Sequence, residues 1–126
     1  MSKANFYICE HCGNIIEKIV DKGAPIVCCG QKMTKIEAGT VDASREKHIP
    51  KVELDGDTVK VTVGSVVHPM SAEHYIEWIY LETEKGIQRK HLTPDDAPTA
   101  IFKIADDKPV AVFAYCNLHG LWKAEI

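Results

Sequence analysis

Four cysteines within the first 29 residues constrain this chain more than any other feature of its sequence. They are arranged as Cys9-x2-Cys12 followed by the adjacent pair Cys28-Cys29, and a fifth, Cys116, stands alone near the C-terminus. An odd number of cysteines argues against a fully paired disulfide framework. Two thiolates at this spacing on a tight turn, completed by a second pair, form a tetrahedral all-sulfur site that suits zinc or iron. The sequence therefore predicts a four-thiolate metal site.

The segment that carries these cysteines, residues 1–37, is too short to hold a hydrophobic core of its own. Below about 40 residues a chain usually needs a metal, disulfides or a partner subunit to stay folded. A metal would provide that stabilisation, because its binding energy becomes folding energy. The alternatives are four thiols without a metal, or a thioredoxin-like redox pair at Cys9 and Cys12, although no βαβ pattern follows that pair. We place the domain boundary between residues 37 and 38, where the cysteine-rich segment ends and a sequence typical of short β-strands begins.

Residues 38–126 read as a series of short β-strands. Thr58–Val63 alternates strictly between polar residues and valines, and Asp55–Asp57 before it is a hairpin turn signal. In a further strand over 74–81, alternation would place four residues on one face, namely His74, Ile76, Trp78 and Tyr80. Since no window shows a sustained helical period, the evenly spaced strands predict a β-sandwich. The remaining predicted strands are 51–54, 87–92, 99–104, 109–115 and 121–126.

Four histidines and the fifth cysteine fall at predicted strand ends or loops, where side chains from distant segments can converge. Cys116-x2-His119 has a ligand-type spacing on a turn, His68 and His74 bracket another turn, and His48 lies in a loop before the first strand. Structural zinc takes four ligands, and blue copper takes a methionine that this chain lacks after its last histidine. Five nitrogen and sulfur ligands instead leave one open place on an octahedral iron. The two histidines outside this group are His11 and His91.

The charge and hydropathy of the chain exclude other classes of partner. The net charge is −3 at pH 7 and the isoelectric point is about 6.0, so there is no basic footprint for nucleic acid. No apolar stretch approaches the roughly 18 residues of a membrane span, and no apolar segment before Cys9 resembles a signal peptide. We therefore expect a cytoplasmic protein that binds neither nucleic acid nor a membrane.

Taken together, the motifs resemble those of one family over nearly the whole chain and in the same order: the desulfoferrodoxins, the two-iron class of superoxide reductase. The N-terminal part is similar to desulforedoxin, and the C-terminal part resembles the neelaredoxin module, an immunoglobulin-like β-sandwich. No ligand position departs from the family pattern. The motifs that carry the resemblance are Cys9-x2-Cys12, Cys28-Cys29, Glu46-Lys47-His48, His68-Pro69-Met70, His74-Tyr75 and Cys116-Asn117-Leu118-His119-Gly120.

The resemblance implies two mononuclear iron sites. The first would be held by four cysteines, and the second by four equatorial histidines and one axial cysteine, with the sixth position open to solvent. Lys47 and Glu46 would act in catalysis from the loop above that open position. The implied ligands are Cys9, Cys12, Cys28 and Cys29 for the first iron, and His48, His68, His74, His119 and Cys116 for the second.

The resemblance also implies an activity, the one-electron reduction of superoxide to hydrogen peroxide without release of dioxygen, which detoxifies oxygen. It further implies a small electron donor such as rubredoxin. We also expect a homodimer, because the small N-terminal domain needs a partner surface. Two other functions stay open at this point. One is an iron electron-transfer protein without its own substrate, which a sixth ligand from the protein would favour. The other is a zinc-binding structural module in which the histidines are incidental.

Overall fold

β-Strands make up nearly all of the regular structure of this chain, as the sequence predicts. The computed structural model describes residues 2–126, and Met1, which falls in the predicted N-terminal domain, lies outside the described residues. The chain divides into a unit of Lys3–Glu37 and a unit of Ala38–Ile126 together with Ser2. The described residues form β1 (Phe6–Ile8), β2 (Ile15–Glu17), β3 (Val27–Cys28), β4 (Gln31–Lys32), β5 (Thr34–Lys35), α1 (Arg45–His48), β6 (Pro50–Asp55), β7 (Thr58–Val63), β8 (Ile76–Thr83), β9 (Ile87–His91), β10 (Thr99–Lys103), β11 (Pro109–Cys116) and β12 (Gly120–Glu125).

The first unit, Lys3–Glu37, has very little apolar interior. Three strands form a small sheet in the order β2-β1-β5, and β3 pairs with β4 in a hairpin. Among the residues of this unit, only Phe6, Cys9 and Met33 are buried. Cys9 follows the end of β1 and Cys28 ends β3, so the turns that leave these two strands carry the four N-terminal cysteines. A core of this size is insufficient to hold the unit together without a further constraint.

The second unit is a β-sandwich of two antiparallel sheets, with strand orders β10-β7-β6 and β12-β11-β8-β9. Alternation along β7 directs Val59, Val61 and Val63 into the core between the sheets. The predicted strand over 58–63 is therefore confirmed, and so is the sandwich. The buried core consists of Val59, Val61, Val63, Ile76, Ile79, Leu81, Leu92, Ala100, Phe102, Val112, Ala114 and Cys116.

The start of β8 differs from the sequence prediction. β8 begins at Ile76, so His74 lies in the loop before it. A bulge follows, because Ile76 pairs with Cys116 whereas Trp78 pairs with Tyr115. Since Cys116 and Tyr115 are consecutive and face opposite sides of β11, Ile76 and Trp78 also face opposite sides of the sheet. The predicted common face is therefore confirmed for Trp78 and Tyr80 and wrong for Ile76, while His74 lies outside the strand.

One end of the sandwich collects several chain segments. Residues 45–48, expected to be part of a loop, form the single helical turn α1 just before β6. At the same end β7 finishes where Val63 pairs with Pro50, and β8 starts where Ile76 pairs with Cys116. Loops that leave strands of both sheets can therefore bring their side chains together here.

Candidate metal centres

The four N-terminal cysteines converge on one point. Their Sγ atoms all lie within 4.8 Å of one another. Cys12 Sγ is 3.6 Å from Cys28 Sγ, and Cys28 Sγ is 4.0 Å from Cys29 Sγ. Sulfurs placed tetrahedrally at about 2.3 Å from one metal lie about 3.8 Å apart, whereas a disulfide bond measures about 2.05 Å. The spacing therefore fits a tetrahedral metal site and no disulfide.

The surroundings of these sulfurs also favour a cation. The Cys12 amide donates to Cys9 Sγ over 3.5 Å, and this bond is the main reason why the pKa of Cys9 falls to about 6. Hydrogen bonding with Cys12 raises the pKa of Cys29 to about 12. Ionisation of Cys29 is unfavourable because it would place a second negative charge beside a neighbouring thiolate. All four sulfurs can be thiolates together only with a cation among them. Cys29 adopts a left-handed φ of 53°, which lets the two adjacent cysteines diverge.

The histidines and the fifth cysteine converge at the end of the sandwich. The ligand atoms of four of these residues lie within 4.8 Å of one another, namely His48, His68, His74 and Cys116. His119 joins them through Nδ1, which is 3.2 Å from His48 Nε2 and 4.0 Å from Cys116 Sγ. His48, His68 and Cys116 are buried, and His74 and His119 are half-buried. The sequence prediction that these five residues meet is therefore confirmed.

Two backbone carbonyls determine which nitrogen of each buried histidine faces this cluster. Ser44 O accepts a hydrogen bond from His48 Nδ1 at 2.5 Å, and Pro69 O accepts one from His68 Nδ1 at 2.7 Å. Each neutral ring thus carries its proton on Nδ1 and a lone pair on Nε2. The two Nε2 atoms are only 3.2 Å apart. Two lone pairs at this distance repel unless a cation lies between them, and nitrogens bound at right angles at about 2.1 Å would be about 3.0 Å apart.

The protonation of the imidazoles fits the same interpretation. His74 Nε2 is buried and has no hydrogen-bond partner among residues 2–126. Burial lowers the pKa of His68 to about 4. Burial is also the main reason why the pKa values of His48 and His74 are lowered, and the positive charge of Lys47 lowers both further. Burial of His48, His68 and His74 therefore favours their neutral form, which is the form that binds a metal.

Asn117 connects two of the turns that carry candidate ligands. Its Oδ1 accepts a hydrogen bond from the Tyr75 amide at 2.9 Å, and its Nδ2 donates to Glu73 O at 3.0 Å. These two bonds bracket His74 on both sides. The residue belongs to the motif that ends in His119, but its amide contacts could not be read from the spacing of that motif.

Trp122 supports two of the histidines from the inner face of β12. Its ring stacks on His48, with centroids 4.9 Å apart, and its Nε1–H donates to His119 O at 3.0 Å. Nothing in the sequence around Trp122 indicates contacts with histidines. Trp122, Asn117 and the carbonyls of Ser44 and Pro69 are thus the supporting groups that sequence reasoning missed.

The other predicted site residues lie on the surface. Glu46 and Lys47 are on α1 directly before His48, and both side chains are exposed. The positive charge of Lys47 contributes to the lowered pKa values of His48 and His74. His11 and His91 are exposed and belong to neither group of candidate ligands in the described part of the chain.

Comparisons with known proteins identify relatives of both units. A family model described as Desulfoferrodoxin matches residues 40–125, and one described as Desulfoferrodoxin, N-terminal domain, matches residues 2–36. A desulfoferrodoxin of Nitratidesulfovibrio vulgaris is 51% identical over 119 residues, which are 94% of each chain. A superoxide reductase of Pyrococcus horikoshii is 37% identical over 103 residues, covering 68% of this chain and 90% of that protein. The crystal structure of the superoxide reductase from Treponema pallidum is 41% identical, with a TM-score of 0.83, and the match covers 98% of this chain and 100% of that one.

Proposed function

The chain belongs to the desulfoferrodoxin family, and from this premise we propose that it is a superoxide reductase. Superoxide takes up one electron and two protons to give hydrogen peroxide, and no dioxygen is released. The observation that carries the proposal is the pair of imidazole lone pairs, His48 Nε2 and His68 Nε2, that face each other at 3.2 Å. They lie in one group with His74, His119 and Cys116. The likeness to a superoxide reductase structure over almost the whole chain supports the same conclusion.

Both donor sets fit iron. Four thiolates suit a tetrahedral iron, and a set of imidazoles with one thiolate suits an iron that keeps one position open. When bound in the second set, ferrous iron supplies the electron that superoxide takes up. The residues proposed to hold the first iron are Cys9, Cys12, Cys28 and Cys29, and those proposed to hold the second are His48, His68, His74, His119 and Cys116.

Cys116 is the one anionic member proposed for the second set. Burial raises the pKa of its thiol, whereas the backbone N–H groups of Leu118 and His119 lower it by hydrogen bonding to the sulfur. The two amides therefore stabilise the thiolate within an otherwise apolar core. A thiolate held in this way donates electron density to the site and so favours the transfer of an electron to the substrate.

Lys47 and Glu46 are proposed to act at the open side of the site. The protein as a whole is acidic, with a net charge of −3, so attraction of an anionic substrate has to be local. The positive charge of Lys47, which directly precedes His48, helps to lower the pKa values of His48 and His74. This charge is proposed to attract superoxide and to order a water molecule that donates a proton. Glu46 would repel superoxide as a carboxylate, and it is proposed to approach the site after oxidation, when the site carries one more positive charge.

The first site is proposed to stabilise the small N-terminal unit, and electron relay is the alternative role. A small electron carrier such as rubredoxin is proposed as the donor, by family resemblance. A homodimer is supported by four aliphatic side chains that the small unit leaves exposed, Ile19, Val20, Ile26 and Val27. A cytoplasmic location fits the reduced state that the metal-binding cysteines require. None of the helices in residues 2–126 has the length and apolar character needed to cross a membrane.

The decisive experiment measures what a known quantity of superoxide becomes. Protein purified without added metal is first analysed for iron and zinc, and we expect two irons per chain. The reduced protein is then given superoxide, and hydrogen peroxide and dioxygen are measured together. We expect one hydrogen peroxide per superoxide and no dioxygen, since dismutation would instead release one dioxygen for every two superoxide ions.

The other outcomes separate the competing functions. Release of dioxygen would identify a dismutase, and iron at both sites without superoxide consumption would favour an electron-transfer protein. One zinc and no iron would favour a structural module. Cys116→Ser provides the matched control, because it removes the proposed thiolate ligand of the second site and leaves the four N-terminal cysteines unchanged.

A further inference from the structure

The turn at residues 64–67, here called the Gly64 turn, is bonded to the backbone of α1. The amide of Val66 donates a hydrogen bond to Glu46 O at 3.0 Å. The hydroxyl of Ser65 donates to the same carbonyl oxygen at 3.3 Å. This turn follows β7 directly, so the core strand and the exposed Glu46-Lys47 segment are joined through a single carbonyl group.

Gly64 allows this contact because it has no side chain. The residue is buried and adopts a φ of +82°, a conformation that L side chains rarely take. A Cβ atom at this position would collide with the carbonyl oxygens of Glu46 and Val66, and it would lie 2.7 Å from the carbonyl carbon of Lys47. All three are backbone atoms, which cannot rotate away as a flexible side chain could. The backbone of α1 therefore rests directly against Gly64.

α1 has few constraints of its own. It is a single turn of four residues, and Ser44 at its N-terminus makes no side-chain capping bond. Ile49 N–H to Arg45 O is the bond that closes the turn. One helical turn is intrinsically unstable, since nucleation fixes several dihedral angles for a single hydrogen bond. The position of α1 is thus determined by what it contacts.

The same turn also leads to a candidate ligand. The amide of His68 donates to Val63 O at 3.0 Å, which closes the Gly64 turn onto the end of β7. One short segment therefore sets the place of His68 and of the backbone that precedes His48. These are the two imidazoles whose Nε2 atoms are 3.2 Å apart.

We propose that Gly64 is a positioning residue for superoxide reduction, which holds α1 so that Lys47 and Glu46 lie at the open side of the second site. The inference rests on the proposed function, because it concerns the use of Lys47 and Glu46 in that reaction. Gly64 itself touches neither substrate nor ligand atoms. It acts by excluding any side chain between β7 and α1.

The variant Gly64→Ala tests the proposal in the iron-loaded, full-length protein. The added methyl group has to displace α1, and a shift of about 1 Å at a catalytic group can cost up to a hundredfold in rate. We expect superoxide capture to slow roughly tenfold or more, and its dependence on ionic strength to flatten because Lys47 has moved. We also expect faster hydrogen exchange at the Val66 amide and faster tryptic cleavage after Lys47, with both irons retained.

The matched control is Gly56→Ala in the β6–β7 hairpin. Gly56 also has a positive φ, +60°, but an added Cβ there would meet nothing within 4 Å. The control therefore carries the same kind of backbone strain without displacing α1. We expect it to lower the melting temperature while capture rate, salt dependence and exchange at Val66 stay as in the parent. The proposal is overturned if the two alanine variants slow capture equally.

A milder variant keeps the proposal testable if Gly64→Ala does not fold. Ser65→Ala removes only the hydroxyl bond to Glu46 O, and we expect capture to slow about two- to fivefold with a flatter salt dependence. Unchanged capture, salt dependence and Val66 exchange in the folded variants would overturn the proposal. Hydrogen exchange at Val66 and tryptic cleavage after Lys47 measure the mobility of α1 and do not require superoxide. A parent protein that consumes no superoxide would refute the proposed function. The exchange and cleavage measurements would still show whether Gly64 holds α1 in place.

Discussion

The proton on one ring nitrogen determines what His48 can bind. Its Nδ1 donates to Ser44 O, just as His68 Nδ1 donates to Pro69 O, and each bond fixes the tautomer and the plane of the ring. The two Nε2 lone pairs are then held in place before any metal arrives. Two lone pairs held 3.2 Å apart repel each other. The free energy of folding therefore offsets part of this repulsion before the metal binds.

The charge of Lys47 yields a prediction at the same scale. Lys47→Ala removes the positive charge that helps to lower the pKa values of His48 and His74. We expect superoxide capture to slow roughly tenfold at low salt, and less at high salt, because local electrostatic steering is screened by ions. Capture rates are to be compared by pulse radiolysis over a range of ionic strengths.

Lys51→Ala is the control for that measurement. Lys51 is exposed on β6 and pairs with Glu53 at 3.8 Å, so its removal changes the net charge of the protein by the same amount. Its rate and salt dependence should match those of the parent. If Lys47→Ala and Lys51→Ala slowed superoxide capture equally, the attraction of superoxide would depend on the net charge of the protein. That result would contradict a specific role for Lys47.

The ligand residues themselves could be predicted from the sequence, but the groups that orient them could not. Cys116-x2-His119 and the Cys9-x2-Cys12 pair have spacings that indicate metal binding directly. No sequence pattern identifies the carbonyls of Ser44 and Pro69 as hydrogen-bond acceptors for these histidines. Every residue has a carbonyl, and only the fold determines where it points. Exact side-chain geometry therefore required the structure.

At the scale of elements, alternation predicted β7 correctly and failed at β8. The three valines of β7 lie on one buried face, as their period of two indicates. In β8 the bulge between Ile76 and Trp78 inserts one residue, so Ile76 faces the opposite side of the sheet from Trp78. A bulge depends on pairing with β11, so the local sequence of β8 could not reveal it.

Two adjacent residues of β10 allow a direct test of the assigned core. Phe102 is 1% exposed and lies in the core, whereas Ile101 is 58% exposed on the other face of the strand. We expect Phe102→Ala to lower the free energy of unfolding by about 3–5 kcal/mol and Ile101→Ala to change it by about 0.5 kcal/mol or less. Urea unfolding followed by tryptophan fluorescence measures both. Similar losses would mean that the facing of β10 is wrong.

An ion pair beside the β6–β7 hairpin gives an acid-dependent contribution to stability. The hydrogen bond and charge of Lys103, 3.2 Å from Asp57, lower the pKa of the Asp57 carboxyl below its usual value. Because the folded pKa is the lower one, this stabilisation is present above the unfolded pKa and is lost as the pH falls through the folded pKa. Asp57→Asn should therefore lower the melting temperature slightly at pH 7, and the difference from the parent should vanish in acid.

Thermal unfolding of the parent and Asp57→Asn over a pH series checks this sign. Asp55→Asn, on the other side of the same turn, is the control for a change of charge alone. A difference between the parent and Asp57→Asn that grows as the pH falls would contradict the assignment of the ion pair.

At the scale of the whole molecule, the two units differ in what stabilises them. The sandwich has a continuous apolar core between two sheets, whereas the unit Lys3–Glu37 buries only Phe6, Cys9 and Met33. Composition and spacing could predict this division, because a short cysteine-rich segment precedes a long series of alternating strands. The five short strands of the small unit could not be predicted, since two- and three-residue strands carry no readable period.

Loss of the first metal should therefore unfold one unit and leave the other intact. In the double variant Cys28→Ser and Cys29→Ser, we expect rapid hydrogen exchange in β1, β2 and β5, with protection in β7 and β11 unchanged. Cys116→Ser is the matched control, and it should leave exchange in β1 as it is in the parent. Protection of β1 that survives loss of the metal would show that the small unit is stabilised in another way.

The spacing of the proposed ligands along the chain determines which of the two metal sites can form first. All four cysteines of the first site are present once Cys29 has left the ribosome, so this site can bind its metal during synthesis. The second site unites His48 with His119, 71 positions later, and needs strand ends from both sheets in place. Its five side chains can come together only after the sandwich has assembled, so a chain made without iron would have a folded sandwich, an unfolded N-terminal unit and no activity.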